Sequence, residues 1–260
     1  MNIEMKKALR TLQVNFPGLL ETKFYLARQY RTKLGIPSER DFHALELFPD
    51  VDGALFLDIG ANRGQSTDAI LAISKKGQIR LFEPNPLLCD KLRHTFSGNT
   101  RITIHDFGLG ETAMEAMLYI PFYKEWMFDG LASFCEENAS TWLRGRIFGY
   151  NETFLKILEV KCEVKRLDEF NLDPFFIKLD VQGYEYSALL GGRETIRSHE
   201  PILLVESPDE RTMQYLSELG YQHYCFSAGK FTAGVLGKPN TFFMTPTKSS
   251  LVKAHIQRPG

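Results

Sequence analysis

Short runs rich in apolar residues alternate along much of the chain with stretches in which an apolar residue recurs every three or four positions. The runs cover residues 54–57, 78–82, 102–105, 175–179 and 201–205, and residues 221–226 with 241–244 suit a closing hairpin. Runs of this length are typical of strands buried on both faces of a sheet, and the recurring stretches are typical of helices that cover those faces. The pattern therefore predicts an α/β fold built on a mostly parallel sheet.

Two segments depart from this alternation. Residues 1–48 are basic, and their apolar residues have helical spacing, which predicts an N-terminal helical cap packed on the sheet. The alternatives are that this segment shapes a substrate pocket, contacts another subunit or lies on a membrane surface. Residues 121–157 are rich in aromatic residues and glycine, which favours an insertion that forms a lid or substrate wall, or that packs against the body. The α/β domain is expected at 49–247, followed by a loose polar tail at 248–260.

A glycine turn joins the first predicted strand to the helix after it. Gly60 and Gly64 lie in this turn, and a strand, a glycine turn and a helix N-terminus together offer backbone N–H groups to a ligand. Asp58 would repel the pyrophosphate of a dinucleotide, and the glycine spacing also differs from the dinucleotide fingerprint. The same carboxylate suits the ammonium group of S-adenosylmethionine. An ordinary turn with Asp58 as a helix cap is the alternative.

Acidic residues follow five of the predicted strands, namely the runs that end at residues 57, 82, 105, 179 and 205. The acidic residues are Asp58, Glu83, Asp106, Asp180 and Glu206. Ligands of open α/β sheets bind at the carboxyl ends of the strands, so this edge favours a cationic cofactor and can supply a general base or hold a metal. Glu83 lies 25 positions after Asp58, close to the roughly 20 positions at which such units place an acid on a ribose. Glu83 is therefore the expected ribose ligand, with a turn residue as the alternative.

Two residues at this edge are candidates for the catalytic proton acceptor. Asp180 follows an apolar run expected at the centre of the sheet, and His105 ends a neighbouring strand with a side chain that titrates near neutral pH. A cap on the next helix is the alternative for Asp180, and a packed strand residue is the alternative for His105. The histidines and cysteines have no metal-ligand spacing, so no metal residue is assigned, although carboxylates alone can hold a metal.

The bulk composition narrows the class of protein. The 260 residues are 43% hydrophobic and 24% charged, as in ordinary globular domains, and the four cysteines are far apart, as expected for free thiols. A formal charge of −1 gives no overall attraction for nucleic acid or anionic lipid, so nucleic acid is not expected as a partner and any lipid contact must be local. No apolar stretch is long enough to span a bilayer, and a cytoplasmic location is the expectation.

Three motifs together resemble the FkbM family of S-adenosylmethionine-dependent methyltransferases. They are FLDIGANRGQS at 56–66, LFEPNP at 81–86 and IKLDVQGYE at 177–185. The resemblance implies a class I methyltransferase fold, which is a Rossmann-like sheet of seven mostly parallel strands with the last strand antiparallel. It also implies S-adenosylmethionine as the cofactor and methyl transfer to a hydroxyl of a sugar, glycolipid, polyketide or related metabolite.

The resemblance also implies which residues bind the cofactor. The matching positions are Asp58, Gly60, Asn62, Gly64 and Glu83, with Asp106 and Phe107 as adenine contacts. Gln182 stands where many family members have glutamate. A neutral amide cannot take up a proton, so Gln182 is not assigned a role in proton transfer.

Two other functions stay open. A nicotinamide-dependent oxidoreductase uses the same architecture, but Asp58 and the glycine spacing argue against it. A non-catalytic domain that retains the cofactor fold would use the basic N-terminal helices as its interaction surface. The acceptor is expected to be a small molecule or a glycan, and the oligomeric state stays open.

Overall fold

A computed structural model describes residues 3–49 and 51–258 of the chain. Residues 1 and 2 of the predicted cap, residue 50 of the predicted α/β domain, and residues 259 and 260 of the predicted tail lie outside the described residues. The helices are α1 (Ile3–Asn15), α2 (Pro17–Leu34), α3 (Gln65–Ile73), α4 (Pro86–Thr95), α5 (Glu136–Thr141), α6 (Glu185–Gly191), α7 (Arg193–His199), α8 (Glu210–Glu218) and α9 (Pro246–Ser250). The strands are β1 (Leu55–Ile59), β2 (Gln78–Phe82), β3 (Ile102–His105), β4 (Gly108–Leu109), β5 (Met114–Tyr123), β6 (Trp126–Met127), β7 (Leu155–Lys165), β8 (Phe176–Leu179), β9 (Ile202–Glu206), β10 (Gln222–Ser227), β11 (Lys230–Ala233), β12 (Asn240–Met244) and β13 (Ile256–Gln257). Short 3-10 helices cover Arg40–Leu47, Asp129–Leu131, Glu152–Phe154, Leu167–Phe170 and Lys253–His255.

Nine strands of the described residues form one sheet, in the order β13-β11-β10-β12-β9-β8-β1-β2-β3. Strands β1, β2, β3, β8 and β9 run parallel, and β12 lies antiparallel between β9 and β10. The predicted α/β fold and its antiparallel strand are therefore present. The predicted count of seven strands is wrong, because β11 and β13 extend the sheet beyond β10.

The two additional strands come from a tight turn and from the C-terminal segment. Ala228 and Gly229 have φ angles of 51° and 76°, and this left-handed turn folds β10 back into β11. Strand β13 then pairs with β11. The tail that the sequence predicts to be loose from residue 248 is instead structured through residue 257, because Val252 is buried in the core and β13 adds to the sheet edge.

The segment predicted as an insertion contributes to a second, smaller sheet, in the order β4-β7-β5-β6. Strands β5 and β7 form its long antiparallel centre. Helix α1 packs against this sheet through Val14, which is buried in a cluster with Tyr123 and Trp126. The cap therefore contacts the insertion as well as the body. The function of residues 121–157 as a lid stays a prediction.

Apolar side chains cover both faces of the larger sheet. Phe56 and Phe176 belong to the cluster beneath the 3-10 helix Arg40–Leu47 and α3, whereas Leu57 and Ile177 belong to the cluster beneath α6, α7 and α8. Neighbouring residues of a strand point to opposite faces, which explains why apolar residues follow one another directly in these strands. With both faces covered, the carboxyl ends of the strands are the natural place for a ligand.

Candidate functional site

A cavity of about 670 Å³ opens at the carboxyl ends of β1, β2 and β8. Four of the predicted site residues line it, namely Gly60, Asn62, Glu83 and Asp180. Another part of the wall comes from residues 129–134 of the predicted insertion. The structure thus brings together three of the strand ends that the sequence predicts to hold a ligand.

The turn after β1 requires glycine at position 60. Gly60 has a φ angle of 80°, and a Cβ atom on it would lie 1.9 Å from the carbonyl oxygen of Asp180. The turn therefore packs main chain to main chain against the segment after β8. Asn62 follows with a φ angle of 50°, a left-handed conformation that asparagine adopts more readily than most residues. This conformation accompanies a hydrogen bond from the Asn62 N–H to Glu83.

Glu83 is fixed at the cavity wall by two backbone donors. Its carboxylate oxygens accept hydrogen bonds from the N–H groups of Asn62 at 2.8 Å and Asn85 at 2.9 Å. Burial raises the pKa of the Glu83 carboxyl to about 7, although both hydrogen bonds act in the opposite direction. Each carboxylate oxygen has a further lone pair to offer, so the group can still accept hydrogen bonds from a ligand.

Asp58 does not reach the cavity. Its side chain is fully buried, and its Oδ2 accepts a hydrogen bond from the Thr67 hydroxyl at 2.6 Å, which joins β1 to α3. Burial raises the pKa of Asp58 to about 6. A direct hydrogen bond from a ligand in this cavity to Asp58 is therefore not available in this arrangement, and a contact through water stays a prediction. Asp58 instead connects the strand before the glycine turn to the helix after it. This position is closer to the alternative of an ordinary turn than to a direct cofactor contact.

Asp180 and Glu206 form a carboxyl pair at the ends of β8 and β9. The Gln182 Nε2 atom donates a hydrogen bond to Asp180 Oδ1 at 2.8 Å, and both residues line the cavity. Burial raises the pKa of Glu206 to about 8, and the hydrogen bond and negative charge of Asp180 add to the effect. The environment of Glu206 therefore favours its protonated form, and Asp180 is the member of the pair that lines the cavity.

A buried lysine offsets the negative charge of this edge. Lys178 is 1% exposed, and its Nζ atom lies 3.9 Å from Asp180 Oδ2. Its positive charge counteracts the effect of burial on the pKa values of Asp41, Asp58 and Glu206. Lys178 is absent from the predicted site residues, although a lysine inside an apolar run is itself a sign of a buried charge.

Arg63 connects the glycine turn to the cap and to the insertion. Its guanidinium group is ion-paired with Asp129, which lines the cavity, and with Glu21 of α2 at 2.9 Å. The guanidinium carbon also lies 5.4 Å from the ring centroid of Trp126. One feature of the sequence indicates that Arg63 connects these segments. A long cationic side chain lies between Gly60 and Gly64, in a turn where main chain segments approach each other closely.

His105 packs behind the cavity and is not part of its lining. Its ring stacks on Phe82 with the centroids 4.7 Å apart, and its Nε2 atom is buried without a hydrogen-bond partner among the described residues. Burial lowers the pKa of His105, and the charge of Arg80 acts in the same direction. This environment matches the packed strand residue that is the alternative for His105, and its role as a base stays a prediction.

Three of the predicted cofactor contacts also lie outside the lining. Asp106 is ion-paired with Arg93 at 2.8 Å on the surface. Phe107 stacks on Phe170 with the ring centroids 5.4 Å apart. Gly64 precedes α3 with a φ angle of 82°, and a Cβ atom there would lie 2.7 Å from the Phe96 ring. Packing against Phe96 therefore requires glycine at position 64. None of Asp106, Phe107 and Gly64 lines the cavity.

Two other cavities help to delimit the site. A cleft of about 880 Å³ shares Ser133 and Gln182 with the strand-end cavity, and its lining includes Asn138, Trp142 and Arg146. A larger cavity of about 1530 Å³ lies between α2, α3 and α4 and contains none of the predicted site residues. We assign the site to the strand-end cavity, because the acidic strand ends and the glycine turn meet there.

The described ranges contain no cluster of three histidine, cysteine, aspartate or glutamate side chains placed to hold a metal ion. The four cysteines are free thiols.

Residues 58–223 match the model of the methyltransferase FkbM domain, which is more than half of the chain. The chain belongs to the FkbM methyltransferase family. This match confirms the resemblance seen in the three sequence motifs, and it includes every predicted site residue. The 2-O-methyltransferase NoeI of Sinorhizobium fredii (strain NBRC 101917 / NGR234) is 25% identical to this chain over 150 residues. That alignment covers 55% of this chain and 58% of NoeI, so the chain spans little more than half the length of this relative.

The chain is also similar to solved methyltransferase structures, among them these two. The methyltransferase FkbM of Methylobacillus flagellatus KT is 19% identical, with a TM-score of 0.48 over 74% of this chain and 44% of that chain. An S-adenosylmethionine-dependent O-methyltransferase of Thermotoga maritima is 14% identical, with a TM-score of 0.36 over 81% of this chain and 65% of that chain. The family assignment rests on the family model and not on these distant structural likenesses.

Proposed function

We propose that this protein transfers a methyl group from S-adenosylmethionine to a hydroxyl of a small-molecule or glycan acceptor, such as a sugar, a glycolipid or a polyketide. The observation that carries the proposal is the Glu83 carboxylate, held in the cavity wall by the N–H groups of Asn62 and Asn85. A ribose diol presents two hydroxyl donors, which a fixed carboxylate at the end of the second strand accepts. Membership of a methyltransferase family supports methyl transfer, and the name of the 2-O-methyltransferase relative favours an oxygen acceptor.

The residues around the cavity fit this cofactor. Gly60 lets a ligand approach the main chain, and Glu83 is placed for the ribose. Asp180 adds a carboxylate that suits a positively charged ligand and disfavours a pyrophosphate. S-adenosylmethionine supplies a methyl group on a positively charged sulfur, which makes that group open to attack by a nucleophile.

The cleft beside the cavity is the proposed acceptor site. Ser133 and Gln182 line both spaces, so a molecule in the cleft would have its reactive end at the cavity. Trp142 offers an aromatic surface and Asn138 offers an amide, a combination suited to a hydroxyl-rich ligand. The predicted role of residues 121–157 as a substrate wall agrees with this position.

Asp180 is proposed to take up the proton of the hydroxyl group that receives the methyl group. A sugar or aliphatic hydroxyl is a poor nucleophile until its proton is drawn away. The Gln182 amide, which donates to Asp180 Oδ1, orients this carboxylate and cannot itself take a proton. The larger part of the rate gain is expected from holding the hydroxyl in line with the methyl group.

Titration calorimetry tests the cofactor assignment. S-adenosylmethionine and its demethylated product should bind, and NAD should bind much more weakly, because the acidic wall opposes a pyrophosphate. Tight binding of NAD with no response to S-adenosylmethionine would refute the assignment and support the oxidoreductase alternative.

Transfer of a labelled methyl group tests the activity. The protein is incubated with methyl-tritiated S-adenosylmethionine and a cell extract, and the labelled product is identified. Label on an oxygen atom supports the proposal. Cofactor binding without any transfer, in extracts of several origins, would instead support a non-catalytic domain.

A further inference from the structure

The two N-terminal helices turn apolar side chains towards solvent at helical spacing. The residues are Leu9, Leu12 and Phe16 in α1 and directly after it, and Leu26, Tyr30 and Leu34 in α2. All six are between 42% and 66% exposed. A spacing of three or four residues places each set on one side of its helix. In a globular protein this apolar side is normally the buried one, so each set forms an apolar stripe that the rest of the described chain leaves uncovered.

The other side of α2 is attached to the body, which fixes the direction of its stripe. Arg28 is ion-paired with Asp68 of α3 at 2.7 Å. Phe24 stacks with Trp126 at a centroid distance of 6.3 Å. Both attachments lie on positions of α2 away from the Leu26 stripe. The stripe therefore faces outward because of contacts elsewhere on the same helix.

The stripes are surrounded by positive charge. Residues 3–36 contain seven lysine or arginine residues and two glutamates, a formal charge of +5, whereas the whole chain has −1. Lys23 and Lys33 lie three residues from Leu26 and Tyr30, respectively, so they flank the α2 stripe. Neither lysine forms an ion pair within residues 3–49 and 51–258, in contrast to Arg28.

We infer that α1 and α2 dock the protein on an anionic membrane surface. Helices with an apolar side and flanking lysines lie in the interface, where the apolar side chains enter the headgroup boundary and the lysines meet anionic lipids. The charge argues against a second copy of the chain as the occupant, because two such positively charged surfaces would repel each other. No helix in the described ranges is long and apolar enough to span a bilayer. This inference does not depend on the proposed function.

Co-sedimentation of the full chain with lipid vesicles tests the inference. The protein should sediment with vesicles of equal parts phosphatidylcholine and phosphatidylserine, and much less with phosphatidylcholine alone. Added salt should release it, because the surface charges are screened. Replacing both lysines in Lys23→Gln/Lys33→Gln should weaken binding on the order of tenfold at low salt.

A matched pair of variants separates the stripe from general hydrophobicity. Leu26→Gln/Leu34→Gln should weaken vesicle binding at least about tenfold, since it removes two side chains that enter the interface. Leu236→Gln/Leu251→Gln changes two leucines that are 49% and 47% exposed elsewhere on the protein, and it should bind as the parent does. All of these positions are exposed, so melting temperatures equal to that of the parent are expected and show that the variants are folded.

Three results would overturn the inference. The first is no sedimentation with either vesicle type, and the second is equal sedimentation with both. The third is a dimer of the parent in solution that Leu26→Gln/Leu34→Gln abolishes, because the stripe would then belong to a second copy of the chain.

Discussion

Replacing Gly60 with alanine tests the main-chain contact on which the cavity depends. The added Cβ atom would lie 1.9 Å from the carbonyl oxygen of Asp180 and 2.8 Å from its carbonyl carbon. Non-bonded heavy atoms pack at roughly 3.5 Å, so the turn after β1 or the segment after β8 must move by more than about 1 Å. Both segments line the cavity, and the change should therefore affect stability and ligand binding together.

Two contributions set the size of the effect. Alanine at the φ angle of 80° found at Gly60 costs about 1 to 2 kcal/mol of stability. The displacement of packed main chain adds about 1 to 3 kcal/mol, as overpacking of a core does. We therefore expect the free energy of unfolding to fall by about 2 to 5 kcal/mol. Ligand binding should weaken about tenfold to a hundredfold, because a shift of about 1 Å misplaces the cavity wall.

Gly98 provides a matched control for the backbone contribution. Its φ angle is 76°, and no heavy atom lies within 4 Å of an added Cβ atom. Gly98→Ala therefore carries the conformational cost without the collision. Urea denaturation gives the stability of both variants, and calorimetry with S-adenosylmethionine gives their affinity. If Gly60→Ala loses no more stability than Gly98→Ala and binds the ligand as the parent does, the close contact between the two segments does not exist.

Three further predictions concern the carboxylates and the histidine. Glu83→Gln should weaken S-adenosylmethionine binding about tenfold to a hundredfold in calorimetry, because a neutral amide replaces a charge-assisted acceptor of the ribose hydroxyls. If the variant binds as tightly as the parent, Glu83 is not the ribose ligand. The pKa of Glu83 is raised from 4.5 to about 7 in the folded state, so its contribution to the free energy of unfolding is fully present below pH 4.5 and is lost as the pH rises through 7. Stability measured with urea across this pH range should fall less steeply in Glu83→Gln, while ligand affinity of the parent should rise with pH as the carboxylate ionises; equal slopes would contradict the raised pKa. Asp180→Asn should lower turnover about a hundredfold or more in the methyl-transfer assay, with a smaller effect on cofactor affinity. His105→Phe keeps the stack on Phe82 and should retain turnover. The opposite result would make His105 the base.

The strands were predictable because they carry a local signal. Strand β1 covers Leu55–Ile59 and β9 covers Ile202–Glu206, in agreement with the apolar runs at 54–57 and 201–205. A strand covered on both faces must be apolar in nearly every position, and this requirement is visible without knowing its neighbours. The acids at the strand ends and the glycine turn were predictable for the same reason, since each follows directly from where a strand ends.

The polar contacts inside the sheet were not predictable, because they depend on the register between strands. Asp58 and Lys178 are far apart in sequence but are directly opposite partners on β1 and β8. Only this pairing shows that Asp58 is buried beside a lysine and turned away from the cavity. The same limit applies to β11, which depends on the left-handed turn at Ala228 and Gly229, a combination that the sequence marks with a single glycine.

Arg63 links the helix that carries the proposed membrane surface to the wall of the proposed cofactor cavity. Glu21 on α2 pairs with Arg63, and Arg63 pairs with Asp129 in the cavity wall. A helix that lies on lipid would therefore be linked to the cavity wall through these two ion pairs. An acceptor that is itself anchored in the membrane would reach such a cavity at high local concentration, whereas a freely diffusing metabolite would gain nothing from the arrangement. If both proposals hold, a glycolipid is the acceptor, among those considered, that would make use of both the membrane surface and the cavity.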